Sequence, residues 1–111
     1  EDGLDAQGIA EAFERGELSC LYLLGVDPPG IGAHPPAGTV IAHAAFLTDA
    51  LCEQADVVFP AEVYPEKEGA VTHPDGRLQH VRRAVRHIGE TRDEGRVLVE
   101  LASRIGLAVA P

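Results

Sequence analysis

The chain has 111 residues and a formal charge of -9, from 18 acidic against 9 basic side chains. That length sets one domain as the upper bound, and the charge argues against broad binding to nucleic acid or anionic membrane, which requires positive potential. No stretch approaches the roughly 20 apolar residues of a membrane span, and none reads as a secretory leader.

Residues 4–16, LDAQGIAEAFERG, are expected to form a helix, with Asp5 as its cap, Ile9, Ala12 and Phe13 as its apolar stripe and Gly16 as its stop. Residues 20–26, CLYLLGV, are a near-continuous apolar run, as a strand buried on both faces requires. Residues 27–38 are rich in proline and glycine and read as a loop with no phosphate-binding glycine pattern; His34 within it reads as a surface side chain. A second strand is expected over 39–45, with His43 packed and hydrogen-bonded near its end. Thr48 caps a short helix over 49–54, and a third strand covers 55–59 before Pro60, which has no amide to continue a ladder. The alternation of helices and strands predicts an α/β fold, a three-layer unit with a small, mainly parallel sheet. Cys20 and Cys52 show no paired spacing and sit in apolar stretches, so both are expected to be buried free thiols.

Residues 61–89 read as a long loop with a basic tail. Glu62, Glu66 and Glu68 have no histidine or nucleophile at useful spacing and are expected to be solvated loop carboxylates. A sharper structural expectation pairs Glu68 with Arg77, with Gly69 and Gly76 supplying the turns between them; breaking such a pair, if buried, costs about 3–5 kcal/mol. Arg77, Arg82, Arg83 and Arg86 have no acid among them. Their segment reads either as a helix with a Val81, Val85 and Ile88 stripe or as extended chain laid across a neighbouring surface. His80 and His87 lack a third ligand for a metal, and the arginines lack the interleaved aromatics of single-strand nucleic-acid binders. The last helix, 91–105, is expected to open on a capping box of Thr91 and Glu94. Val97, Leu98, Leu101, Ala102 and Ile105 form its apolar stripe, and Gly106 its stop.

Three blocks then stand out together: LYLLGVDP (21–28); FLTDA (46–50) with ADVVFPA (55–61); and EKEG (66–69) with DGRLQ (75–79), followed by the GET-R-DE segment that opens the last helix. Their order and spacing resemble the molybdopterin oxidoreductase superfamily over residues 20–106. Within it, the likeness runs to the large iron–sulfur subunit of bacterial NADH-quinone oxidoreductase. The resemblance implies a partial molybdopterin-oxidoreductase-like domain, a piece of a longer chain, which agrees with an opening residue of Glu1. It implies no redox centre or catalytic residue in these residues, and iron–sulfur clusters elsewhere in the parent. It also implies partners in the remainder of the chain and the other subunits, and a place at the cytoplasmic side of the membrane. Whole-complex function would be electron transfer from NADH to quinone.

The first alternative is a true molybdopterin enzyme of the formate dehydrogenase or nitrate reductase type. There the resemblance places Gly25 and Asp27 near the nucleotide end of the pterin guanine dinucleotide. Family members usually carry asparagine-proline at Asp27-Pro28, and commonly threonine and asparagine at Ala70 and His73. A carboxylate at 27 repels diphosphate rather than donating to it. The second alternative is a free-standing protein-interaction module using the arginine patch, with salt-sensitive binding to an acidic partner. Exposed strand edges would further favour self-association of the fragment.

Overall fold

The computed structural model describes residues 3–28 and 38–109. It divides into two units, residues 1–59 and 60–111. In the first, Asp5 accepts a hydrogen bond from the Gly8 amide at 2.8 Å and starts α1, Ala6–Glu14. Gly16 follows with φ +74°, the left-handed turn that glycine adopts without a Cβ penalty. Strand β1, Cys20–Leu24, pairs in parallel with β2, Thr39–Ala44, and β3, Val57–Pro60, lies beside β2 in a three-stranded parallel sheet ordered β1-β2-β3. Between β2 and β3 runs α2, Asp49–Gln54, whose first turn is capped by the Thr48 hydroxyl accepting from the Leu51 amide.

Alternation along the strands selects the core. Leu21 and Leu23 of β1 and Val40 and Ala42 of β2 are buried together with Phe13 and Leu51. The same alternation overturns the reading of both cysteines as buried: Cys20 sits one residue out of phase with Leu21 and Cys52 one step round the helix from Leu51, and both are free and exposed. Gly38 lies against Phe13, where a Cβ would come within 2.6 Å of the ring's Cζ. Asp56 brackets Val40 from just before β3: its carboxylate accepts the Val40 amide at 2.8 Å, and its own amide donates to the Val40 carbonyl at 2.9 Å. His43 is fully buried, edge-on to Phe59 with ring centroids 6.0 Å apart. It is packed as expected but not hydrogen-bonded, since neither ring nitrogen has a partner among the described residues. Most of the proline- and glycine-rich loop, including His34, lies outside those residues.

In the second unit, residues 61–89 are more ordered than a loop. A single 3-10 turn covers Tyr64–Glu66, and an antiparallel hairpin joins β4, Gly69–Thr72, to β5, Leu78–Val81, in register from Gly69 opposite Val81 to Thr72 opposite Leu78. Gly76 turns the hairpin with φ +86°. Residues 82–88 continue without helix, so the extended reading of the arginine segment holds and the helical one does not. The last helix is α3, Glu94–Arg104. It is amphipathic, yet none of its residues is buried, and Leu98 and Ile105 are exposed. Among the described residues no helix is long and apolar enough to cross a membrane.

Candidate functional site

The polar centre of the second unit is built around two glutamates four residues apart. Pro60 ends β3, and the chain beyond it is held by residue 92: the Arg92 amide donates to the Pro60 carbonyl at 3.1 Å, and the Glu62 amide donates to the Arg92 carbonyl at 3.3 Å. Pro65 then turns the backbone, and the side chains of both Glu62 and Glu66 enter the interior, at 4% and 2% exposure. This overturns their reading as solvated loop carboxylates.

Glu66 is fully engaged. One carboxylate oxygen accepts the Val63 amide at 2.9 Å and the other accepts the Ile88 amide at 3.0 Å, while its main-chain carbonyl accepts Arg83 Nε at 2.8 Å. The Pro65 carbonyl accepts the amides of Ala84 and Val85 at 2.8 and 3.1 Å. Segment 83–88 is thereby stitched to the 3-10 turn. A buried carboxylate accepting backbone amides uses charge-assisted bonds, roughly twice as strong as neutral ones.

Glu62 is engaged on one side only. Its Oε1 lies 3.7 Å from an Arg83 nitrogen and 3.9 Å from His87 Nδ1. These are ion-pair distances, longer than hydrogen bonds. Its Oε2 is buried and has no hydrogen-bond partner among the described residues. Glu62, Glu68, Arg83, Asp93 and Arg96 line a cavity of about 130 Å³.

The residues singled out from sequence fall in several places. Glu68 lines that cavity, whereas Arg77 is held by its neighbour Asp75, whose carboxylate accepts Arg77 Nε at 2.8 Å. The expected Glu68–Arg77 pairing is therefore replaced, for a geometric reason. Gly69 begins a strand instead of a turn, so the four-pair hairpin puts residue 68 at its open end and residue 77 at its closed end. Arg77, with His73 behind it, holds the Asp75 carboxyl below its ordinary range. Glu94 lies in the first turn of α3 and pairs with Lys67. The capping box of Thr91 and Glu94 is also corrected: Asp93 is the cap, accepting the Arg96 amide at 3.1 Å, and the Thr91 hydroxyl donates to the Ile88 carbonyl at 2.9 Å. Sequence reasoning placed Arg83 in a basic segment and set His87 aside as a metal ligand, but missed the approach of both to Glu62 and the burial of Glu62 and Glu66. The available signal was two glutamates flanking a proline, followed by an arginine run with no acid of its own.

In the first unit, Gly25 takes φ +65° and its amide donates to the His43 carbonyl at 2.9 Å. Asp27 accepts the Thr48 hydroxyl at 2.8 Å. A diphosphate needs donors, and here the amide is already engaged and the side chain is an acceptor. These two residues do not fit the diphosphate of a pterin dinucleotide. Among the described residues, no group of three or more histidine, cysteine or acidic side chains is arranged to hold a metal ion.

Comparison with known proteins agrees with the small parallel α/β sheet. The molybdopterin oxidoreductase family model matches residues 2–104. The alpha subunit of an NADPH-Fe(3+) oxidoreductase from Geobacter sulfurreducens is 37% identical over 93% of this chain, which spans 13% of that protein. The G 2 subunit of the Rhizobium meliloti NADH-quinone oxidoreductase is 36% identical over 75% of this chain and 11% of its own length. A putative formate dehydrogenase of Bacillus subtilis is 29% identical over 94% of this chain and 11% of its own. The chain thus spans about an eighth of the length of these relatives. With a parallel α/β sheet and a family match over nearly all its residues, this chain belongs to the molybdopterin oxidoreductase family.

Proposed function

We propose that this chain is a structural segment of the large iron–sulfur subunit of an NADH-quinone oxidoreductase, contributing scaffold to electron transfer from NADH to quinone. The observation that carries this reading is how its polar side chains are used. Glu66 binds two backbone amides, Asp56 brackets Val40, and Asp27 accepts from Thr48, so these three carboxylates fasten main chain or a neighbouring side chain. The apolar face of α3, half-buried with Leu98 exposed, supports a segment that packs against other parts of a larger protein. The relatives named as G subunits of NADH-quinone oxidoreductases support the choice within the family. In this reading the clusters belong to other parts of the parent chain. The partners are the remainder of that chain and the other subunits, on the cytoplasmic side of the membrane.

A second reading, a true molybdopterin enzyme, draws on the relative named as a formate dehydrogenase. One preparation separates the two. The full-length parent is purified with its partners and assayed for NADH-dependent quinone reduction, molybdenum and oxidised pterin. Quinone reduction without molybdenum or pterin is the expected result. Stoichiometric molybdenum and pterin with formate or nitrate turnover would overturn the proposal.

A further inference from the structure

We propose that Asp75–Gly76 is a site of spontaneous backbone isomerisation that the hairpin holds inactive, with Arg77 as the residue that holds it. The pair lies at the closed end of β4–β5, in a stretch exposed from residue 71 to residue 80. Glycine after aspartate favours this chemistry, because no Cβ hinders the glycine nitrogen. In the reaction the Gly76 nitrogen attacks Cγ of a neutral Asp75 carboxyl. The C–N bond forms, the C–OH bond breaks, and the hydroxyl leaves with the amide proton as water. One water then opens the cyclic imide at either carbonyl, returning aspartate or giving isoaspartate, whose main chain runs through the side-chain methylene. No oxidant or co-reactant enters.

Both reacting groups are occupied in the hairpin. The Gly76 amide donates to the His73 carbonyl at 2.8 Å, so the attacking nitrogen is tied into the turn. On the carboxylate, Oδ2 accepts Arg77 Nε at 2.8 Å and lies 2.7 Å from a second guanidinium nitrogen. Oδ1 accepts the Arg77 amide at 3.2 Å and lies 2.8 Å from His73 Nδ1. Both oxygens are thus engaged, chiefly by Arg77. These contacts favour the charged form, and a carboxylate has no hydroxyl to lose. The turn therefore restrains the nucleophile, and Arg77 the electrophile. What they protect is the register. The His73 amide donates to the Arg77 carbonyl at 2.8 Å, next to the Thr72–Leu78 pair, and an extra methylene in the main chain of residue 75 would disturb that closure.

The test incubates the full-length parent at neutral pH and physiological temperature, beside a free peptide spanning residues 73–79. Isoaspartate at residue 75 is quantified over time by fragmentation mass spectrometry that distinguishes it from aspartate. Asp2–Gly3, the other Asp–Gly pair of the sequence, is followed in the same digests as a clock for handling. The peptide should isomerise about tenfold faster than the folded site, the combined effect of one amide hydrogen bond and one exposed ion pair. Arg77→Ala should accelerate the folded site about two- to fivefold, with the His73 amide still protected from hydrogen exchange. Arg77→Lys, which keeps the cation, should fall between that variant and the unsubstituted protein. Equal rates in folded protein and peptide would overturn the inference. So would an unchanged rate in Arg77→Ala, or an acceleration there that comes with lost His73 protection and that lysine does not reduce.

Discussion

Removing the Glu66 carboxylate should release residues 83–88 from the turn at Tyr64–Glu66. The side chain is 2% exposed and accepts two backbone amides, Val63 at 2.9 Å and Ile88 at 3.0 Å. Hydrogen bonds to a charged acceptor contribute about 1.5–3 kcal/mol each, so both together bound the loss in Glu66→Ala at about 3–6 kcal/mol. Water entering the space left by the side chain recovers part of this, which places the expected cost near 3 kcal/mol. Glu66→Gln keeps one acceptor oxygen but turns an amide donor toward the other backbone amide, so it should lose about half as much. Native-state hydrogen exchange on the full-length chain reads this locally: 3 kcal/mol corresponds to roughly 100-fold faster exchange of the Ile88 amide. The Ala84 and Val85 amides, which donate to Pro65, should accelerate with it. Unchanged protection of Ile88 in Glu66→Ala, or a larger loss in the glutamine variant than in alanine, would refute the carboxylate's role as the fastener.

Three further outcomes are expected. Gly38→Ala drives a methyl into the Phe13 ring and should cost about 1–3 kcal/mol by overpacking, read as a lower denaturation midpoint with an unchanged slope. Asp93→Ala should destabilise α3 by about 1 kcal/mol as a lost N-cap, and Thr91→Ala by less; the reverse order would restore Thr91 as the cap. The Asp75 carboxyl should titrate below the usual aspartate value of about 3.9, because Arg77 first and His73 second favour its charged form. A depressed folded-state value means that the hairpin turn gains from this group above the unfolded aspartate range and loses the gain as pH falls through the lowered midpoint. Carboxyl NMR should show that midpoint rise toward about 3.9 in high salt and in Arg77→Ala; an Asp75 midpoint already at about 3.9 would contradict the pairing.

Where a structural cause lies within a few residues, it was legible in the sequence. Asp5, Gly16 and Thr48 act at the ends of α1 and α2 as local hydrogen bonding dictates, and the apolar runs at 20–26, 39–45 and 55–59 became three adjacent parallel strands. The misreadings share a different cause. Thr91 and Glu94 satisfy the spacing of a capping box, but Asp93 competes for the same amides and Glu94 is drawn to Lys67, 27 residues away. Glu68 and Arg77 have complementary charge, but the register of a hairpin decides whether they meet, and that register follows from the turn at Gly76. The burial of Cys20 was misjudged because a continuous apolar run hides which alternate positions face the core.

The two buried glutamates show most directly what local pattern leaves out. Four residues apart, with similar exposure and the same arginine beside them, they are indistinguishable in composition and in burial. What separates them is the inventory of donors that the fold brings within reach. Glu66 meets two backbone amides, one three residues back and one 22 residues ahead, and both carboxylate oxygens are used. Glu62 meets Arg83 and His87 at nearly 4 Å on one oxygen, and no donor among the described residues on the other. A carboxylate whose acceptors are all filled by its own backbone fastens the fold, whereas a buried one with an open acceptor costs stability until a donor reaches it. The fold therefore buries both, but only Glu66 has both of its carboxylate oxygens held by backbone amides.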